Sequence, residues 1–180
     1  MADTAKIKKL IDAKIRVIPD WPKKGVSFKD FTPLLQDKKL FCETIDLLIA
    51  PYLKKKVDKI VGIDARGFIL AAAMAYKLKT GLAIVRKKGK LPSKTVSQDY
   101  SLEYATNTLE MHQDSILPGE RVLIVDDVLA TGGTMAATVG LVKKLKGKIV
   151  SVDFLIELLN LKGRKNLKGQ KIRSLLRYYQ

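Results

Sequence analysis

The chain has 180 residues, 47% hydrophobic and 29% charged, which excludes a disordered polymer and fits one domain that buries its own core. Its formal net charge is +16. The lysines fall in scattered pairs and short runs with no interleaved aromatics, a pattern that argues against a nucleic-acid platform and suits a small anionic substrate.

The first residues, MADTAKIKKL, are charged and lack the apolar centre of a secretory signal. No stretch reaches the ~18 apolar residues of a membrane helix. The longest candidate, Ile149–Leu161, contains Asp153 and Glu157. The lone cysteine, Cys42, cannot form an intrachain disulfide and reads as a small buried residue on a helix. A cytoplasmic protein without a membrane segment is therefore expected.

In chain order, Ala5–Val17 has apolar residues at helical spacing and ends before Pro19 and Pro22. Lys39–Lys55 repeats that spacing, with Phe41, Thr44, Ile45, Leu48 and Tyr52 on one face. Lys59–Ile63 reads as a strand, Arg66–Lys79 as an Ala-rich helix closed by Thr80-Gly81, and Leu82–Val85 as a second strand. Val96–Tyr104 and Thr108–His112 read as a hairpin. With the polar, glycine-containing approach Arg86–Pro92, they make residues 86–112 a candidate flap. Val122–Val125 is a strand, Thr134–Lys146 a helix and Ile149–Ile156 a further strand. Apolar strands alternating with helices predict an α/β domain with a mostly parallel central sheet flanked by helices. Ligands bind such sheets beyond the carboxyl ends of the strands. The residues there are Asp64–Gly67, Arg86–Lys90, Asp126–Thr134 and Glu157-Leu158.

Asp126-Asp127 follows the most β-branched strand. A turn at that strand's end would bring both carboxylates to a crevice, where they could bind vicinal hydroxyls and favour a developing cation. Ala130, Thr131, Gly132, Gly133 and Thr134 then lead into a helix. Glycines there let backbone N–H groups approach a phosphate, and the threonines add hydroxyl donors. The acids alone read equally as turn residues, and the loop alone as a helix cap. Together they point to a ribose phosphate. Neither GxGxxG nor GxxxxGK[ST] is present. His112 and Cys42 have no partners at metal-ligand spacing.

Val122–Thr134 (VLIVDDVLATGGT) resembles the 5-phosphoribosyl 1-pyrophosphate (PRPP) signature of type I phosphoribosyltransferases. Gly25–Leu34, Gly62–Phe68, Arg86–Pro92, Tyr100–Tyr104 and Glu157–Arg164 are similar to segments of the members that act on adenine. The resemblance runs from about Ile15 to Tyr178. It implies the type I phosphoribosyltransferase fold as a single domain over residues 1–180, with a small N-terminal hood at 1–34 and a mobile flap at 86–112. It also implies a cytoplasmic homodimer of purine salvage. Such an enzyme moves the 5-phosphoribosyl group from PRPP to N9 of adenine, forming AMP and pyrophosphate through an oxocarbenium-like transition state. Mg²⁺ would be held mainly by PRPP, with no dedicated protein cage.

On the same resemblance, Asp126 and Asp127 hold the ribose hydroxyls, and Ala130, Thr131, Gly132, Gly133 and Thr134 hold the 5′-phosphate. Asp64, Ala65 and Arg66 meet the pyrophosphate, with a cis peptide at Asp64-Ala65. Lys87 and Lys90 add positive charge for the leaving group. Glu103 exchanges a proton with adenine N7, Tyr100 and Tyr104 pack the closed flap, and Ser101 reaches a phosphate. Val26, Ser27, Phe28 and Lys29 form the base hood, with Phe28 on the purine and Leu158 on the far wall. Ser27 and Lys29 depart from the family pattern, which more often has an apolar residue and an arginine there; lysine lacks the planar fork. Two rival readings stand beside this one: a regulator that keeps the fold and binds nucleic acid, and an enzyme for hypoxanthine, guanine or xanthine. Residues 26–29 and 100–104 weigh against both.

Overall fold

The computed structural model describes residues 4–102 and 105–179, and side chains at 4–100 and 107–179. The chain opens with helix α1 (Thr4–Ala13), short strands β1 (Arg16–Ile18) and β2 (Phe28–Asp30), and helices α2 (Thr32–Leu35) and α3 (Lys38–Ile49). Strand β3 (Lys59–Ile63), helix α4 (Gly67–Leu78) and strand β4 (Gly81–Lys87) follow. Next come β5 (Thr95–Leu102), β6 (Ala105–His112), β7 (Arg121–Leu129) and α5 (Gly133–Lys144), and the chain closes with β8 (Lys148–Leu158) and β9 (Ile172–Tyr178).

Helix ends follow local chemistry. Asp37 caps α3 by accepting the Leu40 N–H at 3.1 Å, and Pro51 turns its far end into a 3-10 turn over Ala50–Tyr52. The Ala-rich α4 stops at Lys79, which takes a left-handed φ of 54°. Strands β4, β3, β7, β8 and β9 lie side by side and parallel. Strand β6 joins β4 antiparallel, and β5 joins β6, completing a seven-stranded sheet in the order β5-β6-β4-β3-β7-β8-β9. Val122–Val125 are consecutively buried, because helices cover both faces. One face packs Leu70, Leu123 and Leu155 against Ile11, Phe31 and Ile45. The other packs Ile63, Val85, Ile124 and Phe154 against Met135 and Leu141 of α5. Each such side chain contributes about 1.5–3 kcal/mol by burial, more than a typical surface ion pair.

Several expectations change. Helix α1 ends at Ala13, short of Val17, because Val17 and Ile18 pair with Lys29 and Phe28 in a separate two-stranded ribbon. Strand β7 runs past Val125 to Leu129, so Asp126 and Asp127 lie within it. Strand β9 was not foreseen. Cys42, expected to be buried, is exposed on the side of α3 away from Leu40, Thr44 and Ile45. Among the described residues no helix is long and apolar enough to cross a membrane.

The chain leaves β3 to form β4 on one side and later returns to form β7 on the other. The order therefore reverses between β3 and β7, and their carboxyl ends flank the crevice that such a reversal creates.

Candidate active site

Strand β3 delivers Asp64, Ala65 and Arg66 to the crevice, and the Asp64–Ala65 peptide is cis. Arg66 Nη2 lies 2.7 Å from Asp127 Oδ2 of the neighbouring strand. Its guanidinium also sits 4.8 Å from the centroid of the Phe28 ring and 5.8 Å from that of Phe31, a cation–π arrangement. Arg66 thus ties β3, β7 and the β2 strand together.

The two aspartates do not share one space. Because β7 stays extended through them, they point opposite ways. Asp126 lines a small cavity of about 80 Å³ with Val128, Ala130, Thr131, Gly132, Gly133 and Thr134. Asp127 lines a larger cavity of about 370 Å³ with Val26, Ser27, Phe28, Lys29, Arg66 and Leu158. Val128 and Ala130 belong to both, so the cavities meet along one strand. Every residue expected to hold the 5′-phosphate lines the first, and every residue expected to hold the base lines the second.

Both acids are poorly hydrated. Burial, reinforced by the negative charge of Asp127, pushes the Asp126 carboxyl well above the usual carboxylate range. Burial also raises Asp127, opposed by the Arg66 charge. Asp127 Oδ2 is buried without a hydrogen bond, since its Arg66 contact is an ion pair lacking hydrogen-bond geometry. A buried acceptor in that state is suited to a hydroxyl donor or a cation.

Residues 130–134 turn sharply into α5. Gly132 takes φ +84° just before α5, a conformation that a side chain resists. The first-turn N–H groups of α5 have no intrahelical acceptors and face an anion-sized space.

Lys87 and Lys90 flank the turn after β4 and are exposed. That turn is fixed by Arg86, whose Nε donates to Asp64 Oδ2 at 2.9 Å and whose Nη1 donates to the Lys90 carbonyl at 3.2 Å. Glu110 accepts the Gly89 N–H at 2.9 Å. Sequence reasoning gave Arg86 no role; its signal was a third cation beside Lys87 whose strand position turns it toward β3. Leu161 was also missed as a wall of the larger cavity.

Strands β5 and β6 pair from Thr95↔His112 to Leu102↔Ala105, the hairpin foreseen for the flap. The hairpin lies on α5. Lys144 Nζ donates to the Ser97 carbonyl at 2.6 Å, and Tyr100 lies where a side chain at Gly133 would be, 3.5 Å from that Cβ position. Glu103 and Tyr104, and the Ser101 side chain, lie outside what is described. Among the described residues no cluster of three or more His, Cys, Asp or Glu could hold a metal ion.

A glycine-containing loop at a helix start and a larger cavity lie on either side of Asp126 and Asp127 at a strand-order reversal. The family model for the phosphoribosyl transferase domain matches residues 35–173, and the chain belongs to that family. It is 58% identical over 164 residues to the adenine phosphoribosyltransferase of Geobacter metallireducens, covering 91% of this chain and 96% of that one. The crystal structure of the Rhodothermus marinus adenine phosphoribosyltransferase superposes with a TM-score of 0.93 at 46% identity, covering 97% of this chain and 99% of that one. The Saccharomyces cerevisiae enzyme, complexed with D-2,5-dideoxy-2,5-imino-altritol 1,6-bisphosphate and adenine, gives 0.91 at 35% identity over 96% and 99%. Within the family, the branch to which the chain belongs is that of the adenine phosphoribosyltransferases.

Proposed function

We propose that this protein transfers the 5-phosphoribosyl group of PRPP to N9 of adenine, releasing AMP and pyrophosphate. The observation that supports the reading is that residues 130–134 line one cavity and residues 26–29 with Leu158 another, the two sharing Val128 and Ala130.

Residues 130–134 hold the 5′-phosphate through N–H groups and hydroxyls. Asp126 and Asp127 face the ribose between the cavities, gripping its hydroxyls and favouring positive charge at C1 as the C1–O bond to pyrophosphate breaks. Arg66, freed from Asp127, and Lys87 and Lys90 stabilise the departing pyrophosphate, which leaves with the bonding electrons. Phe28 and Leu158 sandwich the base so that N9 faces C1 and forms the new bond. The proton that adenine must give up is assigned to Glu103, on the resemblance of residues 100–104. The buried, unsatisfied Oδ2 of Asp127 fits a divalent cation nearby. Mg²⁺ would be held mainly by PRPP near Asp126 and Asp127, and would supply charge neutralisation for the leaving group.

In this reading residues 1–180 form one catalytic domain, 1–34 hooding the base and 86–112 forming the flap, with Tyr100, Ser101 and Tyr104 closing over the phosphates. The enzyme works as a cytoplasmic homodimer in purine salvage. The test supplies PRPP and Mg²⁺ with adenine, hypoxanthine or guanine. AMP formed from adenine alone supports the reading; turnover of the oxo-purines, or of none, refutes it. Sedimentation of the purified protein at twice its chain mass tests the dimer.

A further inference from the structure

The segment between β8 and β9 has no part in the chemistry above, yet it touches both cavities. It leaves β8 after Leu158, forms a 3-10 turn over Leu159–Leu161, passes Lys162 at φ 54°, and forms a second turn over Gly163–Leu167. On one side Leu158 and Leu161 wall the base cavity. On the other, Gly163 presses on the phosphate loop so closely that a Cβ there would overlap the Ala130 carbonyl. Asn166 Nδ2 donates to the Thr131 carbonyl at 2.8 Å.

The middle of this excursion is tied back to β8 by an ion pair whose acid, Glu157, is buried. Arg164 grips Glu157 bidentately, Nε to Oε1 at 2.5 Å and Nη2 to Oε2 at 2.8 Å. Ser174 Oγ donates to Oε2 at 2.8 Å, and Arg177 Nε lies 3.4 Å away, so strand β9 seconds the grip. Glu157 is 3% exposed, which leaves it little freedom to move.

The Asn166 bond has a directional consequence. In a trans peptide the C=O and N–H point opposite ways, and the Thr131–Gly132 peptide is not among the cis bonds. Holding the Thr131 oxygen toward Asn166 therefore aims the Gly132 N–H the opposite way, and Gly132 lines the smaller cavity. A free loop peptide could flip and present its carbonyl oxygen to the anion instead.

We propose that Asn166 is a positioning residue for phosphate binding: it sets the Thr131–Gly132 peptide so that Gly132 N–H meets the anion, and the Glu157–Arg164 pair holds Asn166 at its post. The proposal rests on the ribose-phosphate reading of the site but needs no turnover to test. The probe is ribose 5-phosphate, titrated calorimetrically into the full-length protein, with adenine titrated separately. Asn166 is exposed, so Asn166→Ala should melt with the wild type. It should weaken ribose 5-phosphate about fivefold, the loss of one ordinary hydrogen bond's influence, and leave adenine unchanged. Asn166→Asp should weaken it further, because a carboxylate repels the Thr131 carbonyl and drives the flip. Arg164→Met should weaken both ligands, since it frees both walls, and Arg164→Lys should restore part of the loss without the fork. If both Asn166 variants bind ribose 5-phosphate as the wild type does, or lose adenine equally, the positioning role is wrong. If the wild type binds no ribose 5-phosphate, the proposed function fails with it.

Discussion

Replacing Gly132 with alanine isolates the cost of the phosphate loop's geometry. Gly132 has φ +84°, and a Cβ there would lie 2.5 Å from the Gly163 carbonyl oxygen and 3.2 Å from its carbon. Both are backbone atoms that cannot swing aside. The left-handed conformation costs a non-glycine residue about 1–2 kcal/mol, and forcing atoms into a packed site adds about 1–3 kcal/mol. A total near ~3 kcal/mol lowers the melting temperature by about 6–12 °C in a domain of this size. Gly119 supplies the control, since it has φ +87° with nothing within 4 Å of its Cβ position. Gly119→Ala should therefore lose only the conformational part, roughly 3–6 °C. Thermal unfolding of the two variants, with kcat/KM for PRPP measured alongside, separates the terms. Gly132→Ala should also lose at least tenfold in kcat/KM, because displacing the loop misdirects its N–H groups. If Gly132→Ala melts with Gly119→Ala and keeps its kcat/KM, the close approach of the two loops does not constrain the site.

Three further outcomes are expected. Phe28→Ala should weaken adenine about tenfold in equilibrium binding while leaving ribose 5-phosphate unchanged, since stacking on an aromatic face serves the base alone. Asp126→Asn should lower kcat about a hundredfold yet raise the melting temperature at pH 8. The folded-state pKa of Asp126 lies above its ordinary 3.8, so ionising it opposes folding; the variant's advantage should be absent below pH 3.8, grow as pH rises from there to the elevated value, and level off above it. Glu157→Gln should destabilise by about 1–3 kcal/mol near neutrality. Arg164 holds Glu157 below its ordinary 4.5, so that gap should be full above pH 4.5 and close as pH falls below it, measurable by denaturant unfolding across pH 2.5–7.

Much of the site was legible because its chemistry is local in the chain. Thr131–Thr134 carries its glycines, hydroxyls and helix start in consecutive residues, and the structure places them around one cavity. Phe28 and Lys29 are distant in sequence from Leu158; only family resemblance put them at one site, and they line one cavity. Strand β9 stayed hidden because its sequence, IRSLLRY, reads as a basic surface segment. Its arginines are explained only by the partner strand, where Arg173 lies opposite Asp153 and Arg177 opposite Glu157. The extension of β7 was missed because two adjacent acids look like a turn; here alternation sends them into different cavities, and Arg66 offsets the charge of one of them. Arg86 was passed over because a run of cations does not reveal which one turns inward to Asp64.

Among the described residues the β5–β6 hairpin pairs with the rest of the sheet at Arg86↔Glu110 and Lys87↔Leu109. Beyond that root it projects for four paired positions, from Asp99↔Thr108 to Leu102↔Ala105. At ~3.4 Å per residue this makes a lever of about 14 Å, so a tilt of about 10° at the root sweeps the far end through roughly 2 Å. Lys144 of α5 holds the hairpin at Ser97, at the root, and Tyr100 lies beyond it beside Gly133, the first residue of α5. A displacement of that turn would therefore be passed to the outer half of the hairpin, whose strand β5 runs on toward Glu103.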